Sequence, residues 1–298
     1  MPKFLLDESL ETELHRSLPM GRTLFSWGMT AIAFILTGLA LLPLCSILLE
    51  ILHRGIPQLR WEVFTSLPAP VGMEGVPNGF ANAIAGTMLM VGIASVLSIP
   101  FGVMTGIFLS EFCKASRLAS FIRFITVILS SVPSIIAGVF AYAVVVLVNR
   151  QFSAVAGGFA LAVLMLPVVA LTTEEALKLV PNSVRLASAA LGGDRAQTTF
   201  RIVVASALPG ITTGVLLAVA RAAGETAPLL FTALSSQNWP TGLFSPTPSL
   251  SVLIYNYATS PFPEQINLAW TASLVLVGMV LLLSILSRLV TRKQLKVR

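Results

Sequence analysis

The sequence predicts an all-α fold: a polytopic membrane helical bundle with six transmembrane helices and both termini in the cytoplasm. Three observations predict it. The 298-residue chain is 55% hydrophobic and only 11% charged, with a mean hydropathy of +0.87, whereas a soluble domain carries about 25% charged residues. The apolar residues gather in continuous runs of about twenty, the length a helix needs to cross a bilayer core, not in the alternating segments of about ten that build a membrane barrel. Lastly, the cations are unevenly shared. With the N-terminus inside, fifteen of the 19 Lys and Arg fall on the inner side. Arg54, Arg60 and Arg150 fall outside, and Arg221 is left in the membrane. Such asymmetry sets orientation. The net charge of +6 therefore reports topology. Its cations form no long basic stripe, so no nucleic-acid partner is implied.

Taken in order, residues 1–23 form a polar cytoplasmic tail with Asp7, Glu8, Glu11 and Glu13, unlike the basic start of a secretory signal. The transmembrane domain occupies 24–290, with spans near 24–49, 81–110, 119–148, 152–173, 206–234 and 266–287. Residues 291–298 form a cytoplasmic tail. Pro100 and Pro133 lie inside spans two and three and predict kinks, which neighbouring helices tolerate in membranes. Leu42-Pro43-Leu44-Cys45 has a large residue where a lipoprotein cleavage site needs a small one, so the first run is a permanent span. Cys45 and Cys113 fall near opposite faces, about 30 Å apart, which excludes a disulfide between them. His15 and His53 are isolated, and nothing reads as a metal site. Trp61, Trp239, Tyr255, Tyr257 and Trp270 fit an aromatic belt at the outer interface. Gly102/Gly106 and Gly210/Gly214 have the spacing of close helix contacts.

The inner loop 173–205 is long for a connector. Asn182 or Ser183 is placed to cap a short helix through Leu191. Gly192 and Gly193 permit a left-handed stop, and Asp194 caps a second helix with Gln197 three residues on. This predicts helix, sharp turn, helix, with a slim Ala-rich limb suited to a groove on a cytosolic partner.

Arg221 and Glu225 lie in the apolar run 206–234. Four residues apart near the middle of that span, they share one helix face. Each costs about 2.5–3.5 kcal/mol at bilayer depth on insertion scales. Pairing alone seldom recovers the desolvation of both groups, so a functional reason outweighs a buried fastening.

Several motifs carry a family resemblance. Ala189-Ala190-Leu191-Gly192-Gly193-Asp194-Arg195, followed by Gln197 to Val204 and Ala207-Leu208-Pro209-Gly210-Ile211, resembles the coupling loop of binding-protein-dependent ABC importer permeases. Leu186 stands where that signature usually has Glu, which removes one expected salt bridge to the ATPase. Ala220-Arg221-Ala222-Ala223-Gly224-Glu225-Thr226-Ala227-Pro228 resembles the fifth-span motif of phosphate importer permeases of the PstA type. Val132-Pro133-Ser134-Ile135-Ile136-Ala137-Gly138 resembles their third-span motif.

The resemblance covers roughly 80–290 and implies a MetI-like, type I importer architecture in a bacterial plasma (inner) membrane. It also implies a substrate pathway at Arg221 and Glu225, with Thr226 and Ser134 as further candidates. Coupling to the ATPase would fall to Arg185, Ser188, Ala189, Ala190, Gly192, Gly193 and Asp194. The implied partners are a second, PstC-type permease, two copies of an ATP-binding subunit, an extracytoplasmic phosphate-binding protein, phosphate and membrane lipid.

No cofactor is expected on this chain. It lacks Gly-x-x-x-x-Gly-Lys-Ser/Thr, so ATP and Mg belong to the partner ATPase. An intramembrane enzyme is not indicated, since neither His-Glu-x-x-His nor Gly-x-Ser-x-Gly is present. Two alternatives stay open: a permease for molybdate or sulfate, and a membrane scaffold that senses phosphate. An Arg fork matches two phosphate oxygens. Glu225 either orients Arg221 or accepts a hydrogen bond from a protonated phosphate oxygen, which sulfate lacks.

Overall fold

The computed structural model describes residues 20–73, 75–113 and 116–296, without side chains beyond Ile285 in the last helix. Most of the expected N-terminal tail, His15, Lys114 and the basic side chains of the C-terminal end lie outside the described residues. The described residues are helical and contain no strand. The chain divides into two units, 1–52 and 53–298. The first unit holds most of helix α1 (Met20–Gly55). Its Thr30 and Thr37 hydroxyls donate to the carbonyls of Ser26 and Ala33, so each is satisfied within its own helix.

The second unit contains the end of α1 and then α2 (Ala81–Ile107), α3 (Arg117–Ser131), α4 (Ser134–Ala141), α5 (Ala154–Lys178) and α6 (Asn182–Ala190). These are followed by α7 (Val204–Ala223), α8 (Ala227–Thr232), α9 (Leu250–Ala258) and α10 (Pro263–Lys296). Among the described residues, five helices are long and apolar enough to cross a membrane, and counting the bent pair α3–α4 as one span brings the number to six. The centre is α5. Its most apolar window is 61% buried, against 28% or less for the others.

Small residues let neighbours reach it. A Cβ on Gly102 would lie 2.8 Å from Val169, and one on Gly106 would lie 2.6 Å from Thr173. From the other side Gly210 approaches Ala176, and Gly214 lies against Thr172. Both glycine pairs thus seat α2 and α7 on successive turns of α5, as close helix contact in membranes requires. Around them pack Met90, Leu161, Met165, Val169, Ala218, Ala222 and Leu229. Gly106→Val should force this seam open and lower stability by about 1–3 kcal/mol. The measurement is thermal unfolding of the purified protein, and an unchanged midpoint would contradict the packing.

The structure corrects several expectations. Span three is not merely kinked. Its two halves meet at 101°. Pro133 disfavours a helical conformation at the residue before it, and Val132 is extended (φ −67°, ψ 130°). Pro100, by contrast, is absorbed within α2. Span five is not one helix to 234: it is interrupted after Ala223 and resumes as α8, and it begins earlier, because Arg195–Ala223 is continuous helix. The second limb of the cytoplasmic hairpin is therefore the start of that span, and α5 occupies 154–178 in place of ending near 173. The cap of α6 is Pro181, and no side-chain hydrogen bond caps the helix. Proline serves there because the first helical turn leaves its N–H groups unpaired anyway.

The outer segment 235–265 contains α9, which the aromatic pattern did not predict. Its start is buried. Thr87 Oγ1 accepts from Leu250 N at 2.9 Å, and Asn82 donates to the carbonyls of Ser236 and Asn238. Trp239 and Tyr255 remain about half exposed. Trp270 instead receives the Arg54 guanidinium 5.4 Å from its ring centre.

Candidate functional site

The fifth span breaks at the charged pair. Pro228 lacks an N–H and its ring clashes with the carbonyl four residues back, which is that of Gly224. The chain accordingly leaves helix after Ala223 and re-enters at Ala227. Arg221 falls in the last turn of α7, where unpaired carbonyls favour a cation. Glu225 lies in the break. Its N–H still donates to Ala222 at 3.2 Å, and its own carbonyl accepts from the buried Ser251 hydroxyl at 2.8 Å.

The pair therefore does not share a continuous helix face in mid-span, as the spacing suggested. It bridges a helix end, with Arg221 Nε 3.6 Å from Glu225 Oε1. The Glu225 side chain is sheltered at 18% exposure and the Arg221 side chain is open at 66%. Among the described residues the Arg221 guanidinium donates no hydrogen bond within reach, so its fork is available to a ligand. Both residues line a groove of about 500 Å³ with Ala220, Gly224 and the apolar wall Leu276, Val277, Val280 and Leu281 of α10. Charge attraction is stronger beside such a wall than in bulk water.

Thr226 and Ser134 are not among the lining residues of that groove. Thr226 is half-buried and caps α8, its carbonyl accepting from Leu229 and Leu230. Ser134 is half-buried at the start of α4. Ser130 and Ser131 both bond back to the carbonyl of Val127. The two half-helices that follow the breaks pack on each other, since a Cβ on Gly138 of α4 would lie 2.6 Å from Pro228 Cα.

On the cytoplasmic side the predicted hairpin is present. Gly192 takes φ +81°, which favours glycine. Gly193 serves a different end. A Cβ there would meet the Ser188 hydroxyl at 2.7 Å, so its smallness closes the turn and does not admit a partner. Ser188 is buried and bonds Thr198 Oγ1 at 2.7 Å, and Asp194 Oδ1 accepts from Gln197 N at 2.7 Å. Ala189, Ala190, Leu191 and Gly192 form the exposed tip, with Leu191 90% exposed.

Arg185 departs from its expected outward role. Its side chain is 15% exposed and pairs inward with Glu111 at 2.7 Å. Sequence reasoning missed Glu111 and gave no individual role to Glu174, which pairs with Arg123 at 2.7 Å and belongs to the stretch Glu174-Glu175-Ala176-Leu177 that shares the coupling-loop resemblance. The available signal was a lone acid at the end of an apolar run, which marks Glu111 directly and Glu174 less clearly because Glu175 follows it.

A bundle with two broken spans, a charged pair at one break and a helical hairpin on the basic side defines a membrane transport permease. The chain belongs to the family described as binding-protein-dependent transport system inner membrane component, whose profile matches residues 98–296. It is 46% identical over 248 residues to the phosphate transport system permease protein PstA of Yersinia pestis, covering 83% of each chain. It is 44% identical to the protein of that name in Haemophilus influenzae, covering 88% of this chain and 92% of the relative. Its fold matches a chain of the inward-facing MetNI methionine ABC transporter with a TM-score of 0.58 at 20% identity, covering 72% of this chain and 93% of that one.

Proposed function

We propose that this protein is the permease subunit of an ATP-driven phosphate importer and forms half of the translocation pathway for inorganic phosphate. The observation that carries this reading is the open guanidinium of Arg221, steadied by Glu225 at the break of the fifth span and facing an apolar-walled groove. The extended identity to proteins named for phosphate transport supports the choice of substrate.

A second, PstC-type permease supplies the other half of the pathway. Two ATP-binding subunits, which hold ATP and Mg, receive the exposed hairpin tip. An external binding protein delivers phosphate. Closure of the ATPases displaces the hairpin, and because its second limb is continuous with α7, the movement reaches Arg221 along one continuous helix. Phosphate leaves water for the Arg221 fork, which takes two of its oxygens. Glu225 accepts a hydrogen bond from the protonated phosphate oxygen.

The test is ATP-dependent uptake of labelled phosphate by the reconstituted complex, with sulfate and molybdate as competitors. Uptake resistant to both supports the assignment. Preferential uptake of either competitor moves the chain to another oxyanion, and ATP-independent or absent uptake moves it to a sensing role. Glu225→Gln should let sulfate compete about tenfold better or more, because an amide N–H can donate where the carboxylate repelled an unprotonated oxygen. Unchanged discrimination would assign Glu225 to orienting Arg221 alone.

A further inference from the structure

Two nearly buried carboxylates and three arginines meet where α2 ends, away from the pathway groove. Glu111 lies in a wide, π-helical turn, Phe108–Phe112, with its side chain 6% exposed. Arg185 of α6 grips it with two bonds, Nε to Oε2 at 3.1 Å and Nη2 to Oε1 at 2.7 Å. The same guanidinium donates to the carbonyls of Leu177 at 3.0 Å and Val180 at 2.6 Å, at the end of α5. Arg195, on the other limb of the hairpin, donates to the carbonyls of Glu111 at 2.5 Å and Phe112 at 3.1 Å. Its guanidinium also sits 5.1 Å from the Phe112 ring centre. Arg123 of α3 donates to the carbonyl of Leu109 at 3.1 Å and to Glu174 Oε1 of α5 at 2.7 Å. One node therefore joins α2, α3, α5 and both limbs of the hairpin.

The last turn of a helix leaves carbonyls without intrahelical donors. Here arginines from other elements take them. A planar, bidentate fork fixes direction as well as distance, which a lysine ammonium does not. A buried ion pair is a weak source of stability, so its value lies in geometry. Wide turns of this kind are frequent at functional sites. Helix is interrupted at Leu179–Pro181, before the hairpin, and at the turn Leu191–Asp194 between its limbs. Gripped on both limbs, the hairpin cannot move relative to the bundle without carrying the end of α2.

We propose that Glu111, held by Arg185 and Arg195, is a positioning residue that transmits displacement of the cytoplasmic hairpin to α2, and through the Gly102/Gly106 seam to α5. This rests on the importer reading only in that the hairpin receives the movement of an ATPase.

Two measurements on the complete reconstituted importer test it. In proteoliposomes, inorganic phosphate uptake and ATP hydrolysis are followed together for Glu111→Gln and Arg185→Lys. Phosphate moved per ATP should fall roughly 5–150-fold, the usual range of coupling between sites. A proportional fall in both rates, or no change in either, overturns the proposal. The second measurement needs no substrate and no variant at the node. Spin labels at Met104 on α2 and Ser183 on α6, both exposed, should keep their separation when ATP is added. A separation that changes with ATP overturns the linkage even if the Glu111 variants fail to assemble. Absence of phosphate uptake by the unaltered importer, with a constant label separation, defeats the phosphate assignment and leaves the linkage standing.

Discussion

Arg221→Ala is expected to lower phosphate uptake about 100-fold, because a lost bidentate, charge-assisted contact is worth on the order of 3 kcal/mol. The structure sharpens the reason. Arg221 is 66% exposed and its pairing with Glu225, at 3.6 Å, is longer than a hydrogen bond. Substrate therefore need not displace a tight partner to reach the fork. Arg221→Lys should fall between the two, since it keeps the charge and loses the planar geometry. The measurement is initial uptake by the reconstituted complex at matched protein levels. Wild-type uptake by Arg221→Ala would remove this groove from the pathway.

Glu174→Ala is expected to cost about 3–5 kcal/mol of stability, the usual penalty for leaving one member of a buried ion pair behind. The Glu174 side chain is only 2% exposed and lies 2.7 Å from Arg123 and 3.1 Å from Lys178. Lys178 is half exposed, so water readily takes over its charge and its share of the loss is small. Arg123 is the exposed cost. It also holds the carbonyl of Leu109, and without Glu174 it loses the charged partner that orients it toward that carbonyl. Glu174→Gln, which still accepts a hydrogen bond, should lose less. Denaturation of the purified protein reads both, and a loss below about 1 kcal/mol for the alanine variant would mean that the site is solvated.

The outcomes at particular residues show what was legible. Hydropathy located the long apolar helices, because the bilayer imposes a length on any chain that crosses it. Gly192 announced its turn, since few residues other than glycine accept positive φ. Asp194 announced its cap. Gly102, Gly106, Gly210 and Gly214 announced close contacts by their spacing. Pro133 and Pro228 were visible too, but their consequence was underread. A proline can be absorbed, as Pro100 is, or can break a helix, and the neighbours decide which.

Other features had no local signal. Whether Arg185 points to a partner or inward depends on Glu111, which is 74 residues away. The helix α9 within the outer segment and the groove wall from Leu276 to Leu281 likewise depend on distant packing.

The sequence by itself determined that this is a multi-span membrane protein, that a helical hairpin leads into the fifth span, and that Arg221 and Glu225 are its unusual charges. Each of these follows from residue type and local spacing against a fixed solvent geometry. Only the tertiary structure decided that the fifth span opens at that pair, that the pair faces a groove, and that the hairpin is riveted to α2. Those outcomes turn on whether distant side chains satisfy freed carbonyls and buried charges, as Ser251 does for Glu225 and Arg185 does for Glu111. In a membrane, groups left unsatisfied are costly enough to select the fold.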